Sequence, residues 1–287
     1  MTRPIAVEVA LNGPWTRGRQ PLIPVTTDEI TAEAMACADD GAAVIHVHAY
    51  DAETGRQRDD WEIYARIIEG VRARSDALVY PTIPLAGADP DAPALSPAAR
   101  YAHIAELARR GLIEWAVVDP GTANFVEPDG PGFVYANPPD HIREGLRVCA
   151  EGGVRPSFAI YEPGFTRAGA LLARGGRRPV YRVMFSEGFA WGFPPEPAFL
   201  DAHLALLDRA DPGAAWMIAG LAVEIAPLIP AAVARGGMVR VGLEDAPFGT
   251  DRGNLSRLRE ARAAIKSAGG TLETPAALRA RLAETDR

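Results

Sequence analysis

Thr26-Thr27-Asp28-Glu29, an apolar-studded run to Asp39, and then Gly41-Ala42-Ala43-Val44-Ile45-His46-Val47-His48-Ala49: this stretch decides the fold. A threonine ahead of two acids is a helix N-cap with negative charge in the first turn. The spacing predicts a helix over 27–39, closed by Gly41. The run Ala43–Ala49 is short, apolar and β-branched, as a strand covered on both faces must be. A helix delivered straight into a fully buried strand is the unit of a parallel α/β protein.

The same alternation runs in both directions. Strands are expected at Ile5–Leu11, Ala43–Ala49, Ala77–Ile83, Glu114–Asp119, Ser157–Tyr161, Val180–Ser186, Ala215–Gly220 and Met238–Glu244. Helices are expected at 27–39, 59–74, 97–110, 138–151, 165–174, 197–209, 221–235 and 252–268, with a short last one at 274–284. Eight strand–helix units fit an α/β fold, a single (β/α)8 TIM barrel over 1–287 with a short C-terminal helical extension. A doubly wound sheet is the runner-up. It usually carries G-x-G-x-x-G after its first strand, whereas here that loop reads Leu11-Asn12-Gly13-Pro14-Trp15. The Pro/Ala-rich stretch Gly87–Pro97 reads as a loop after strand 3.

Composition narrows the function. The 287 residues carry 30 Lys+Arg against 37 Asp+Glu, a formal charge of −7, which disfavours nucleic acid and anionic membranes as partners. No apolar run reaches the about 18 residues of a membrane span, and the N-terminus enters a strand at once, so a cytoplasmic protein is expected. Cys37 and Cys149 fall inside helical patterns and are expected to pack as reduced core residues. Lys266 is the only lysine, in a polar helix near the C-terminus. Schiff-base catalysis needs a desolvated lysine, so that chemistry is excluded.

A barrel works at the C-terminal ends of its strands. The polar residues there are Asn12, His46, His48, Thr82, Asp119, Tyr161-Glu162, Ser186-Glu187, and Arg240 with Glu244-Asp245. Residues i and i+2 of a strand share a face, so His46 and His48 converge as metal ligands do. Two core histidines bonded to backbone are the alternative. Glu244 is the best third ligand, sharing a face with Arg240 and Gly242, and two histidines plus a glutamate make a known catalytic zinc set. The alternative for Glu244 is a buried pair with Arg240. Asp245, oriented by Arg240, would serve as general base. His103, His141 and His203 lie in helices and are expected to face solvent or cap. The loop Glu187–Pro195, with three aromatics, reads as a lid or as a packed surface loop.

These segments resemble the β-keto acid cleavage enzyme family. The resemblance rests on Ala10-Leu11-Asn12-Gly13, Pro24–Ile30, Gly41–His48, Thr54-Gly55-Arg56, Asp119–Phe125 and Val239-Arg240-Val241-Gly242-Leu243-Glu244-Asp245. It implies a homo-oligomeric (β/α)8 zinc enzyme that condenses a β-keto acid with acetyl-CoA and then cleaves the adduct, giving acetoacetate and a new acyl-CoA. By motif, His46, His48 and Glu244 are implied as zinc ligands, Arg240 and Asp245 as the proton-abstracting pair. Thr82 stands where the family usually has a substrate-binding serine, and Asp119 lies in a substrate segment. Asn12, Leu85 and Glu162 complete the expected substrate contacts. The chain departs from the family pattern at Tyr50, Ser157, Leu85 and Ala246. Burying an unpaired charge against tyrosine and leucine is costly, so neutral 3-oxo acids are expected to be cleaved faster than amino-bearing ones. Glu162 or Asp119 would be the partner of a cationic side chain. A zinc hydrolase of the amidohydrolase type, or an inactive ligand-binding member, are the rival readings. The hydrolase would recruit further histidines.

Overall fold

The capping signal that opens the α/β unit holds in atomic detail. Thr26 Oγ1 accepts from the Glu29 N–H at 3.2 Å, and Glu29 Oε2 accepts from the Thr26 N–H at 2.9 Å. The helix so started is Thr27–Asp39, and its buried face is Ile30, Ala34 and Cys37. The computed structural model describes residues 2–85, 94–128, 130 and 132–286. Most of the Gly87–Pro97 stretch lies outside them.

Eight parallel strands follow one another round a nearly closed barrel. They are β1 (Val7–Ala10), β2 (Val44–Val47), β3 (Leu78–Pro81), β4 (Trp115–Val117), β5 (Arg155–Ile160), β6 (Val180–Ser186), β7 (Ala215–Leu221) and β8 (Met238–Val241). Hydrogen-bonded order runs β3-β2-β1-β8-β7-β6-β5-β4, and β3 packs beside β4 without a ladder. Chain order and spatial order therefore agree, and β2 and β6 stand on opposite sides of the barrel. Each strand is buried on both faces or nearly so. The helices cover the outside, as parallel sheets require.

Several boundaries shift for identifiable reasons. The first expected strand is two pieces. Arg3–Ile5 leaves the barrel to pair with Gly270–Leu272, and only Val7–Ala10 joins it. The expected helix 97–110 breaks at Tyr101 into Pro97–Arg100 and Ala102–Arg109. The expected helix 221–235 begins only at Ile229, after the 3-10 turn Ala226–Leu228, because β7 runs on to Leu221. Pro227 and Pro230 have no N–H to give and are tolerated only in a first turn. The loop after β4 holds an antiparallel hairpin, Ala123–Phe125 with Phe133–Tyr135, that the periodicity did not announce. The three remaining histidines correct an expectation. His103, His141 and His203 are all buried, at 5%, 8% and 1% exposure. Helical position alone does not decide which face a histidine occupies.

The last strand differs from expectation in the way that matters most. It ends at Val241, and residues 243–245 form a turn. Gly242 makes the exit possible. Its φ is +146°, and a Cβ there would stand 2.0 Å from the Ala10 carbonyl oxygen. Only glycine fits so close an approach.

Candidate metal centre and substrate cavity

Alternation along a strand would send Glu244 and Asp245 to opposite faces. The turn after Gly242 instead brings both carboxylates to one guanidinium. Arg240 Nη2 donates to Glu244 Oε1 and to Asp245 Oδ1, each at 2.8 Å, and Arg240 Nε donates to Asp245 Oδ2 at 2.9 Å. Arg240 Nη1 donates to Glu8 Oε1 at 3.0 Å, which also accepts from Tyr80 at 2.7 Å. Burial opposes the charge on Glu244, yet Arg240, His46 and His48 hold its carboxyl well below the usual range. Burial dominates at Asp245, pushing it up to about 6.

Glu244 has one oxygen for each of the two alternatives. One oxygen pairs with Arg240; the other, Oε2, faces the histidines. His46 Nε2 lies 3.5 Å and His48 Nε2 3.4 Å from it. A tetrahedral ion with bonds near 2.1 Å separates its ligands by about 3.4 Å. Among the described residues this is the one group of three or more whose donor atoms converge for a metal. His48 Nε2 and Glu244 Oε2 are buried without a hydrogen-bond partner, which a cation would supply. Burial, despite Glu244, pushes His46 well below its ordinary value, so its imidazole is neutral and can ligate. His48 Nδ1 sits 2.9 Å from Gln57 Oε1. An amide oxygen only accepts, so the proton stays on Nδ1 and Nε2 keeps its lone pair. Gln57 is held in turn by its Nε2 donating to Asp59 Oδ2 at 2.8 Å.

Beside this set opens a cavity of about 510 Å3 of empty space, counting its mouth. His46, His48, Glu244, Thr82, Leu85 and Asp119 all line it, as expected from the sequence. Tyr161 lines it too. Asn12 and Glu162 do not. Asn12 is wholly buried and works on backbone: its Nδ2 donates to the Pro24 and His48 carbonyls, and its Oδ1 accepts from the His48 N–H at 2.9 Å. It positions His48. Glu162 Oε1 accepts from the Gly192 N–H at 3.1 Å and fastens the aromatic loop. That loop is a packed element: Phe189 and Trp191 are buried against Phe125 and Tyr161. Arg240 and Asp245 also lie outside the lining, behind Glu244.

Other lining residues were missed from the sequence: Trp15, Phe125, Phe133, Tyr135 and Arg182. Trp15 is steered by its Nε1 donating to the Glu244 carbonyl at 2.9 Å. Tyr50 anchors the same loop through its hydroxyl, which donates to the Gly13 and Trp15 carbonyls. Arg182 had a signal: it is a charged residue in the middle of the buried strand Val180–Ser186.

A (β/α)8 barrel with a His2Glu cluster at its strand ends and an arginine-held acid behind it defines a class of metal-dependent barrel enzymes. Sequence comparison sharpens this: the chain matches the beta-keto acid cleavage enzyme family over residues 4–283, and it belongs to that family. It is 28% identical to the 3-dehydrocarnitine:acetyl-CoA trimethylamine transferase of Rhizobium meliloti (strain 1021), over 100% of this chain and 99% of that one. It is 26% identical to the 3,5-dioxohexanoate:acetyl-CoA acetone transferase of Paraburkholderia graminis, over 92% and 90% of the two chains. Among solved structures, ObcA in ternary complex with a C4-CoA adduct and oxalate matches with a TM-score of 0.69 at 18% identity, covering 92% of this chain and 68% of that one. That likeness speaks for the barrel alone.

Proposed function

We propose that this protein cleaves a β-keto acid with acetyl-CoA as partner, giving acetoacetate and a new acyl-CoA. The observation that carries this is the convergence of His46 Nε2, His48 Nε2 and Glu244 Oε2, with Asp245 held behind them on the same arginine. Membership of the family, and relatives whose names pair a 3-oxo acid with acetyl-CoA, support it.

His46, His48 and Glu244 would hold one zinc ion, which when bound supplies Lewis-acid stabilisation of negative charge on the keto acid's oxygens. Asp245 is the acid free of ligand duty. It takes the proton from C2 of the keto acid at its carboxylate, and Arg240 holds that carboxylate in place. A catalytic carboxylate commonly reaches working geometry only with substrate present. C2 then bonds to the acetyl carbonyl carbon and the CoA thiolate leaves. The thiolate next bonds to C3 as the C2–C3 bond breaks with its electron pair going to C2, and the proton held by Asp245 returns to C2, so acetoacetate carries C1 and C2 of the keto acid and the acyl-CoA carries the rest. Thr82 lines the cavity and its hydroxyl has only a 3.4 Å contact to the Ile83 carbonyl, which supports a role as donor to the substrate. The aromatic wall keeps water from the carbanion.

Neither acid expected to meet a cationic side chain is free to do so. Asp119 Oδ1 accepts from the Ala159 N–H at 3.0 Å and from Arg182 at 3.3 Å, while its Oδ2 accepts from Tyr135 at 2.7 Å. Glu162 is outside the lining. This favours neutral over amino-bearing 3-oxo acids. The reaction is tested by incubating the enzyme with a 3-oxo acid panel and acetyl-CoA labelled in the acetyl group. Labelled acetoacetate and an unlabelled new acyl-CoA are expected by mass spectrometry. Release of free acids from the panel with acetyl-CoA untouched would replace this reading with hydrolysis.

A further inference from the structure

The cavity has two polar poles. One is the metal set on β2 and after β8. The other is Arg182 on β6, directly across the barrel from β2. The same lining carries Trp15, Phe125, Phe133, Tyr135 and Tyr161.

Arg182 is buried at 3% exposure and is poorly paired for a charge so placed. Its hydrogen bonds among the described residues leave from Nη2 alone, to Asp119 Oδ1 and the Ser157 carbonyl, both at a long 3.3 Å. Its Nε is buried with no partner. Guanidinium offers five N–H donors and stays charged. Unspent donors on a buried arginine at a cavity wall are a receptor for an acceptor that the protein itself does not provide. Ser157, whose carbonyl touches this arginine, has a buried hydroxyl that is also without a partner. Asp119 fills the role only in part: its Oδ1 meets Arg182 at a long 3.3 Å and also accepts from the Ala159 N–H, while its Oδ2 accepts from Tyr135.

We propose that Arg182 binds a carboxylate at the far end of the substrate's side chain, so that the preferred substrates are 3-oxo dicarboxylic acids. This rests on the β-keto acid reading above, which puts the ketone and the adjoining carboxylate at the metal pole. A planar carboxylate matches the guanidinium fork, and the aromatic residues of the same lining offer apolar surface to the methylene chain.

The test compares 3-oxohexanedioic acid with 3-oxohexanoic acid, which differ only at that end. Binding is followed without acetyl-CoA by the fluorescence of the enzyme's tryptophans, Trp15 among them, and kcat/KM is then measured with it. The diacid is expected to bind and react better by at least about 10²-fold, since a site built to bond a polar group rejects the analogue lacking it. Arg182→Met is expected to bring the ratio of the two acids, in binding and in kcat/KM, to near one by a loss confined to the diacid; Arg182→Gln, which retains a polar group toward Asp119 and Ser157, reads the same should the methionine variant not fold. Equal binding of the two acids by the wild type overturns the proposal. So does a variant that weakens both acids alike, since Arg182 then serves something common to them. A diacid preference in binding that depends on Arg182, without turnover of any 3-oxo acid, upholds the arginine's role and sinks the cleavage reading instead.

Discussion

Two buried arginines face the barrel interior, and they are opposites. Arg240 meets three carboxylates, those of Glu8, Glu244 and Asp245, at 2.8–3.0 Å. Arg182 meets one, at 3.3 Å, and leaves Nε unpaired. A guanidinium saturated by its own protein is structural and orienting: it has nothing left to offer a ligand. A guanidinium left short at a cavity wall is a binding group. In the reading proposed above, the contrast would separate the pole where bonds are rearranged from the pole that selects the substrate.

The largest effect should come from the metal pole. Glu244→Ala is expected to lower bound zinc from about one per chain to near zero and activity by more than about 10³-fold. Elemental analysis of gently purified protein checks it, and full metal occupancy in the variant would remove Glu244 from the ligand set. Asp245→Asn comes next: turnover should fall by at least about 10²-fold, the contribution of a positioned base, with metal content unchanged. Undiminished turnover in this variant would take Asp245 out of the mechanism.

The contrast between the arginines is then read as stability. Arg240→Met strands three buried acids and should cost about 3–5 kcal/mol. Arg182→Met leaves Asp119 bonded to Tyr135 and Ala159 and should cost only about 1–2 kcal/mol. Urea unfolding midpoints of the two variants give the comparison, and similar losses would abolish the distinction drawn between them.

A further effect lies outside the site, at His203. Both its ring nitrogens are buried without partners, against Phe185 and Phe193, and burial lowers its pKa to about 4. The unfolded chain takes up this proton near pH 6.5, so between there and about pH 4 it binds more protons than the folded chain. Stability is then fully present above pH 6.5 and lost as pH falls, with a ceiling of about 3 kcal/mol. His203→Phe should flatten that acid limb in urea titrations at pH 7 and pH 4.5. An unchanged slope would mean that the folded imidazole takes up its proton as readily as the unfolded one.

What the sequence by itself determined was local and periodic. The helix cap at Thr26, the β-branched strand cores and the i, i+2 spacing of His46 and His48 act over a few residues, and each follows from backbone geometry. With eight such units, the barrel follows from the need to cover both faces of a parallel sheet. The motif Arg240–Asp245 also named residues that come together, but not their arrangement: only the turn after Gly242, forced by contact with Ala10, sets neighbouring acids on one guanidinium. The burial of His103, His141 and His203 was hidden because a helix has an inside and an outside that composition does not label. The second pole was decided by tertiary structure alone. Arg182, Asp119, Tyr135 and Tyr161 come from one strand, two strand ends and a hairpin, far apart in the chain, and no short-range pattern records which of them meet. Whether an arginine is spent or left open depends on every neighbour around it, and those neighbours exist only once the barrel has closed.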